Sequence, residues 1–276
     1  GHMVKAKRLI KENLKLVDMV LEIRDARIPV SSANPDFEDM LCGKIRIVVL
    51  NKADLAELSA TDAWVKWFES YGIKAIPVNS LDPADSESMR KVILKIAEDK
   101  SKEVFNKKGI HKIVRGMVIG VPNVGKSSLI NSIAKGKKAK TGNKPGITKA
   151  KQWIKISSHM ELLDTPGLLW PKISDQNIAL HLAYTRTIKE EILDSEEIAH
   201  HFLEEIKKIR PNVISERYGV EVSGKKGYEI LEDICYKRGW IKSGGVPDIE
   251  RGAGHILDDF QTGKMGRITL EWPEDL

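Results

Sequence analysis

The fold of this chain is decided by Gly120-Val121-Pro122-Asn123-Val124-Gly125-Lys126-Ser127, which directly follows the apolar stretch 113–119. The pattern is GxxxxGK[ST], and its place between a predicted strand and a predicted helix is the context that a phosphate-binding loop requires. Glycines let the backbone curl so that its N–H groups point at phosphate oxygens, and the helix that follows presents its positive N-terminal end to the same charge. The stretch therefore predicts an α/β fold that binds the phosphate chain of a nucleotide.

Two side chains of this loop have predicted chemical roles. Lys126 is expected to reach the β- and γ-phosphates, and the hydroxyl of Ser127 is expected to ligate Mg²⁺. The alternative is a chance glycine-lysine turn that caps a helix, and the strand-to-helix context argues against it. The other predicted contacts of the loop with the nucleotide are Asn123, Val124, Gly125 and Ser128.

A second motif, Asp164-Thr165-Pro166-Gly167, follows the apolar end of a predicted strand at 160–163. A carboxylate at that place can hold Mg²⁺ through water, which is the Walker-B role, and we predict it for Asp164. The amide of Gly167 would bond the γ-phosphate, so that the segment is ordered by the triphosphate and relaxes after hydrolysis. Alone, these four residues could form a simple turn. Beside a phosphate loop, the nucleotide-sensing interpretation is favoured.

The base of the nucleotide is indicated by Asn51-Lys52-Ala53-Asp54, which follows the predicted strand 45–50 and matches the guanine motif of GTPases. The carboxylate of Asp54 can accept hydrogen bonds from the ring N1–H and the exocyclic amine of guanine, whereas adenine offers no such donor pair on that edge. The motif therefore predicts GTP and GDP as ligands.

A third polar pair, Asn79-Ser80, follows the predicted strand 74–78. In GTPases a backbone amide at this place supports the guanine carbonyl, and we expect the same here. Asn79 and Ser80 are also residue types that cap helices, so a purely structural role stays open.

These motifs occur in an unusual order, because the guanine motif precedes the phosphate loop along the chain. In Ras-like GTPases the phosphate loop comes first, so the order predicts a circular permutation. Over nearly its whole length the chain resembles the YlqF/RbgA family of permuted GTPases, which act in assembly of the large ribosomal subunit. Further stretches that carry the resemblance are Gly1-His2-Met3-Val4-Lys5-Ala6, Asp25-Ala26-Arg27-Ile28-Pro29, Pro145-Gly146-Ile147-Thr148 and Asp164 to Leu169.

The resemblance implies a slow GTPase with Mg²⁺ that the ribosomal particle stimulates, and it suggests two more catalytic residues. Thr148 is expected to complete the coordination of Mg²⁺ with its hydroxyl. His2 is expected to approach the γ-phosphate, where an imidazole can position water. The alternative for His2 is a disordered terminus. Gly1-His2-Met3 is also the remnant that expression tags leave, and the sequence leaves both origins open.

The position after Gly167 departs from Ras-like enzymes, since Leu168 replaces the glutamine that orients water. Hydrolysis must therefore be assisted differently. Asn123 matches the asparagine that helps to bind K⁺ beside the phosphates in potassium-activated relatives, where the cation replaces the charge of an arginine finger. The alternative role of Asn123 is to stabilise the turn of the loop through its side chain.

Composition bounds the class of protein. With 276 residues, of which 41% are hydrophobic, the chain can bury one large core and a smaller second one. No apolar run approaches the roughly 20 residues of a membrane helix, and the N-terminal stretch lacks the apolar segment of a signal peptide, so we expect a cytoplasmic protein. Two distant cysteines suggest neither a disulfide framework nor a thiolate metal site.

The pattern of strands and helices predicts two domains. Residues 1–187 are expected to form the permuted P-loop GTPase domain, a mostly parallel sheet flanked by helices, with a polar connector at 100–112. Residues 188–276 are expected to form a smaller, mainly α-helical domain that binds RNA phosphates through its lysines, although these lysines could also be ordinary solvated helix faces. The expected partners are the large ribosomal subunit or its precursor and rRNA, with no DNA and no membrane, and the protein is expected to be a monomer. Alternatives are a GTP-dependent RNA-binding scaffold whose hydrolysis is incidental, or a permuted GTPase that acts on another RNA.

Overall fold

The computed structural model describes residues 1–137, 151–189 and 194–276, and of His2 it describes only the backbone. The chain divides into two compact units. The first contains Gly1–Lys172 together with the last six residues, Glu271–Leu276, and the second contains Ile173–Leu270.

A single sheet forms the centre of the first unit. Its strands lie in the order β3-β2-β1-β4-β6-β5, with the short β7 beside β4. Neighbouring strands are parallel except β5 and β6, which are antiparallel. Every residue of β1 is buried, as expected for a parallel strand covered on both faces. The strands are β1 (Met19–Asp25), β2 (Ile45–Asn51), β3 (Lys74–Val78), β4 (Val114–Gly120), β5 (Trp153–Ser157), β6 (Met160–Leu163) and β7 (Gly167–Leu168).

The strand order explains how the permuted sequence still forms one site. β4, which leads into the phosphate loop, lies in the middle of the sheet between β1 and β6, although three strands precede it in the chain. Because the carboxyl ends of parallel strands meet at one edge of a sheet, the segments after β1, β2, β3, β4 and β6 all start from that edge. The guanine motif follows β2 and the phosphate loop follows β4, so both start from it.

Helices cover both faces of the sheet, and the alternation of side chains along β1 separates two cores. Leu21 and Ile23 point to the face covered by α4 and α5, whereas Val20 packs with α1 and α2 on the opposite face. α3 covers β2 and β3 on that opposite face. These helices are α1 (His2–Leu14), α2 (Asp36–Met40), α3 (Leu58–Ser70), α4 (Pro83–Lys108) and α5 (Lys126–Ala134).

The polar connector predicted at 100–112 is wrong over most of its length, because α4 continues through Lys108. Ion pairs one turn apart stabilise its solvated half, which has little apolar periodicity. The helix ends where Gly109 adopts a φ of 65°. The three pairs are Lys95–Asp99 at 3.1 Å, Glu98–Lys102 at 2.9 Å and Glu103–Lys107 at 3.1 Å.

The second unit is helical, as predicted, but it begins earlier than the boundary expected between residues 187 and 188. The reason is that α6 packs against α7, where the rings of Tyr184 and Phe202 meet edge to face at 5.2 Å. Its helices are α6 (Gln176–Tyr184), α7 (Ser195–Ile209), α8 (Pro211–Tyr218), α9 (Gly227–Arg238) and α10 (Ile249–Gln261). None of the helices in the described ranges combines the length and apolar character that a membrane crossing requires.

The predicted boundary also missed the return of the C-terminal segment to the first unit. The carboxylate of Glu271 accepts hydrogen bonds from the backbone N–H groups of Val30 at 2.8 Å and Ser31 at 2.9 Å, and from the Ser31 hydroxyl. The indole of Trp64 donates to the carbonyl of Glu271 at 2.8 Å. The last residues therefore complete the first unit by binding the loop after β1 and the face of α3.

Candidate nucleotide-binding site

The loop between β4 and α5 has the curled backbone that its sequence predicts. Asn123 adopts a φ of 65° and Gly125 a φ of 105°, both in the left-handed region. α5 begins at Lys126, directly after the loop, so its N-terminal amides are presented on the same side. The side chains of Ser127 and Ser128 are exposed in the first turn of this helix. The arrangement is that of an anion cradle.

Lys126 is almost fully enclosed by this loop, with 4% of its surface exposed. Its ammonium group donates to the carbonyl of Val121 and is in no ion pair within the described ranges. Burial lowers the pKa of Lys126 to about 8. A desolvated cation with only a neutral acceptor gains most from an anion placed beside it, because no carboxylate already neutralises it.

Asn51 joins the guanine motif to the other two nucleotide segments through one side chain. Its Nδ2 donates to the carbonyl of Val124 in the phosphate loop at 2.8 Å, and its Oδ1 accepts from the backbone N–H of Ser80 at 3.3 Å. With 4% of its surface exposed, Asn51 is part of the framework of the site. A shift of the phosphate loop therefore bears directly on the segment predicted to contact the base.

Gly125 is the position where this link is most sensitive to substitution. A Cβ there would lie 2.5 Å from Nδ2 of Asn51, and the φ of 105° disfavours any L side chain. We expect Gly125→Ala to cost about 2 kcal/mol of stability and to weaken binding of both GTP and GDP by roughly tenfold or more. Thermal unfolding and nucleotide titration measure the two effects.

Gly136→Ala is the matched control, because Gly136 also has a positive φ, of 76°, but no described residue lies within 4 Å of the added Cβ. Gly136→Ala therefore introduces the same kind of backbone strain as Gly125→Ala, without the steric clash with Asn51. Equal losses of nucleotide affinity in the two variants would contradict the role given to Asn51.

The rest of the guanine motif forms a tight turn. Lys52 adopts a left-handed φ of 59° and leads into a short 3-10 helix, Ala53–Leu55. The carboxylate of Asp54 in that turn is exposed and takes part in no hydrogen bond or ion pair within the described part of the chain. Both of its oxygens are therefore available to the two donors of guanine.

A buried ion pair that the residue-by-residue reasoning missed lies beneath this motif. Asp25, at the end of β1, accepts from Arg27 at 2.7 Å and 3.0 Å, and Nζ of Lys52 lies 4.0 Å from the same carboxylate. Burial alone would raise the pKa of Asp25, but the Arg27 guanidinium holds it below its usual value. Burial lowers the pKa of Lys52, and Asp25 partly offsets that effect. The signal in the sequence was Asp25-Ala26-Arg27 at the end of a strand neighbouring β2.

Asn79 and Ser80 are not helix caps, since the N-cap of α4 is Asp82, which accepts from the N–H of Ala84 at 3.0 Å. The side chain of Asn79 instead accepts from the N–H of Leu81 at 3.1 Å, and the N–H of Asn79 donates to Asp85. The capping alternative is therefore excluded, and both residues belong to a loop held against Asn51. Their contact with a nucleotide stays a prediction.

The Asp164–Gly167 segment lies beside the phosphate loop's own strand. Gly167 is buried in β7 and pairs with Ile119 of β4, where an added Cβ would lie 2.8 Å from Met117. Leu168 is 51% exposed, and the carbonyl of Trp170 accepts from Asn34 at 2.6 Å. The structure therefore places Gly167 against β4, and its amide contact with the γ-phosphate stays a prediction.

The side chains predicted to hold Mg²⁺ are placed so that they could bind it. Asp164 is exposed at the end of β6, and the Ser127 hydroxyl is exposed at the start of α5. Neither side chain is in a hydrogen bond or ion pair within the described ranges, and oxygen ligands suit this hard cation. Thr148 lies outside the described residues, as does the side chain of His2. A nucleotide with Mg²⁺ would be held by Ser127 directly and by Asp164 through water.

The lowered pKa of Lys126 predicts a pH dependence of nucleotide binding. A polyphosphate beside the ammonium group favours its charged form, so binding above pH 8 must take up a proton. Below pH 7 the group is already charged and contributes no pH dependence. We expect affinity to fall as the pH rises above 8, by up to tenfold per unit. Calorimetry at pH 9 in buffers of different ionisation enthalpy measures the uptake, and Lys126→Arg, which stays charged, should abolish it.

Comparison with known proteins decides the family. The chain is 42% identical over 279 residues to "Ribosome biogenesis GTPase A" of Bacillus cereus, covering 100% of this chain and 93% of that protein. The protein of the same name from Thermotoga maritima is 36% identical, with 100% and 94% covered. This chain belongs to the ribosome biogenesis GTPase A family. The resemblance to YlqF/RbgA found in the motifs is confirmed over the full length.

Solved structures and a family model agree with this assignment. GDP-bound TM YlqF is 32% identical, with a TM-score of 0.68 over 97% of this chain and all of that one. GNP-bound YlqF from T. maritima gives 0.66 at 31% identity, over 99% of this chain and all of that one. The family model described as "50S ribosome-binding GTPase" matches residues 115–219. This member of the ribosome biogenesis GTPase A family is thus a P-loop GTPase that binds a guanine nucleotide, with its motifs in permuted order.

Proposed function

We propose that this GTPase is a timing switch in assembly of the large ribosomal subunit, working in the cytoplasm as a monomer. With GTP it binds the pre-ribosomal particle, the particle stimulates hydrolysis, and the GDP form leaves. The observation that carries the proposal is the Asn51 link, which couples the phosphate loop to the base-binding segment. The names of the relatives, which refer to ribosome biogenesis, support the choice of partner.

The switch itself is the segment after β6. Gly167 packs against Met117 and Ile119 of β4, and we expect it to leave this pairing when its amide bonds a γ-phosphate. Lys126 and Ser127 hold the phosphates and Mg²⁺ in both states, whereas Gly167 distinguishes GTP from GDP. The second unit begins at Ile173, shortly after β7, so the moving segment is joined directly to it. GTP would thereby favour one arrangement for binding the particle.

RNA contacts in the second unit are proposed for its exposed lysines. Lys207 and Lys225 are engaged within the protein, since Lys207 donates to the carbonyl of Lys225 at 2.6 Å and Lys225 pairs with Asp233 at 2.6 Å. We therefore assign Lys207 and Lys225 a structural role rather than a contact with RNA. Of the lysines within residues 207–242, those left to reach phosphates without specifying sequence are Lys208, Lys226, Lys237 and Lys242.

Co-sedimentation with isolated large subunits, combined with single-turnover hydrolysis, tests the function. We expect binding with a non-hydrolysable GTP analogue, little with GDP, and faster hydrolysis when subunits are present. Nucleotide-dependent binding without any stimulation would instead favour the scaffold. Absence of binding in either nucleotide state would overturn the ribosomal assignment.

Stimulation by K⁺ is proposed to replace the charge that Leu168 cannot supply. A monovalent cation beside the phosphates offsets the negative charge that develops in the transition state, for which an arginine finger contributes about 10³-fold or more in other GTPases. We expect faster turnover in KCl than in matched NaCl, with the difference reduced in Asn123→Ala and kept in Leu168→Ala.

The alternative role of Asn123 has a structural basis, because its left-handed φ of 65° is one that asparagine tolerates well. Asn123→Gly preserves this backbone while it removes the side chain. Equal rates of the unmodified protein in the two salts would refute the cation site and favour a role for His2. If Asn123→Gly kept the full stimulation by K⁺, Asn123 would have only the role of stabilising the turn of the loop.

A further inference from the structure

The N-terminal helix carries most of the excess positive charge of the chain. Residues 2–15 contain five cationic side chains and one carboxylate, a formal charge of +4 within a chain of +6. Lys7 pairs with Asp36 at 3.6 Å. The cations of this helix that are exposed and in no ion pair within the described ranges are Lys5, Arg8, Lys11 and Lys15.

The apolar side of α1 is already used inside the first unit. Ile10 and Leu14 are buried against Met117, Ile119 and other residues of the sheet. Arg8, Lys11 and Lys15 therefore remain on the outside, at a spacing of three and four residues that aligns them along one side of the helix. They extend over about 10 Å of helix, the length of several phosphates along a nucleic-acid strand.

A groove runs beside this row, between α1 and the segment 40–44 that leads into β2. Its volume is about 520 Å³. Lys44 adds positive charge on the opposite wall, but its ammonium group is engaged by the carbonyl of Val17 at 2.9 Å, so the phosphate contacts are assigned to the three cations of α1. Among the described residues that line the groove, Glu12 is the one with a carboxylate, and the thiol of Cys42 is exposed in it. The groove is thus concave, cationic and open.

We propose that this groove binds the phosphate backbone of RNA in the ribosomal particle, as a contact separate from the lysines of the second unit. The inference rests on the proposed function for the identity of the particle. Charge complementarity selects a polyanion, since cations that make few internal contacts release counterions when they bind phosphates. Ile10 and Leu14 of α1 are buried, and its exposed apolar side chains, Met3, Val4 and Leu9, are not spaced three, four or seven residues apart. They therefore form no continuous apolar face to insert into lipid, which favours RNA over an anionic membrane.

The position of α1 connects this groove with the switch. α1 packs on β7, and a Cβ at Gly167 would lie 3.5 Å from Cγ1 of Ile10. Leu169, which follows Gly167, is buried in the same cluster as Ile10 and Leu14. RNA bound in the groove would therefore contact the helix that packs against the segment predicted to sense the γ-phosphate. Loss of the contact between RNA and α1 should then also reduce the stimulation of GTP hydrolysis by the particle.

A charge-reversal variant, Arg8→Glu with Lys11→Glu and Lys15→Glu, tests the groove. We expect its affinity for isolated large subunits to fall at least tenfold at moderate salt. The negative slope of log affinity against log salt should become less steep by about 3. Affinity for GTP without particles should not change, which shows that the site is intact. The matched control reverses three exposed lysines elsewhere in the first unit, Lys66→Glu with Lys91→Glu and Lys108→Glu, and has the same net charge.

Cys42 allows a second test on the unmodified protein, so the proposal does not depend on how a variant folds. Cys42 is exposed, whereas Cys235 is buried and its pKa is raised to about 11 by that burial. Iodoacetamide should therefore alkylate Cys42 first, and large subunits with a GTP analogue should slow that reaction.

The outcomes distinguish the two proposals. If the unmodified protein does not bind subunits, the proposed function fails. If it binds but the charge-reversal variant binds equally and Cys42 stays reactive, the groove proposal alone is overturned. Protection of Cys42 by phosphatidylglycerol vesicles but not by subunits would also overturn it, in favour of a membrane surface.

Discussion

Asp54→Asn is expected to lower the affinity for GTP by on the order of 10³-fold. Two hydrogen bonds from guanine to a charged acceptor would be lost or weakened, and bonds of this kind contribute about 1.5 to 3 kcal/mol each. Within the described residues the carboxylate is in no hydrogen bond or ion pair and acts only through its charge on Lys52, so its loss should leave the fold unchanged. Asp62→Asn, at an exposed position on α3, is the control for the change of charge. Calorimetric titration with GTP measures the difference.

The same variant should gain affinity for xanthosine triphosphate, whose base has a carbonyl where guanine has its exocyclic amine. The amide of an introduced asparagine can donate to that carbonyl, whereas the carboxylate of Asp54 repels it. Reversal of the preference between the two nucleotides would be hard to obtain by a general loss of structure. Equal affinity of the unmodified protein for ATP and GTP would contradict the assignment of Asp54.

Lys126→Ala is expected to remove on the order of 10²-fold or more of the affinity for GTP while leaving the free protein as stable as before, or more so. The ammonium group is buried with a pKa of about 8, so the folded protein bears a desolvation cost that alanine avoids. Thermal unfolding without ligand should therefore move little or upward, and the rise caused by added GTP should disappear.

Lys135→Ala is the matched control, because Lys135 lies at the other end of α5 in an exposed pair with Glu87 at 2.9 Å. Its removal should change neither nucleotide affinity nor turnover. A Lys126→Ala protein that hydrolyses GTP at the unmodified rate would exclude the loop from the mechanism.

Local pattern was enough to predict the strands, the phosphate loop and the guanine motif. β2 is rich in β-branched residues and ends at Asn51, and β4 ends at Gly120, where the loop begins. The spacing of glycine, lysine and carboxylate residues then indicates which chemistry each loop supports. The second half of α4 was missed because its buried positions, Ala97 and Ser101, are small or polar, so the sequence there shows no apolar repeat.

Contacts between distant parts of the chain could not be predicted from local sequence pattern. That the side chain of Asn51 would bridge Val124 and Ser80 depends on how three loops converge at one edge of the sheet. That Glu271 would meet Ser31 and Trp64 depends on the path of the chain through the whole second unit. Nothing in the local composition around Glu271 indicates a partner more than 200 residues away.

The return of the C-terminal segment has a consequence for the order of synthesis. A growing chain emerges N-terminus first, and domains generally fold as units during synthesis. The second unit, Ile173–Leu270, is complete before Glu271 is made, whereas Ser31 and Trp64 must wait for the last six residues to bind them. The nucleotide-binding unit begins first, but it is completed only after the second unit has been synthesised, because Glu271–Leu276 belong to it.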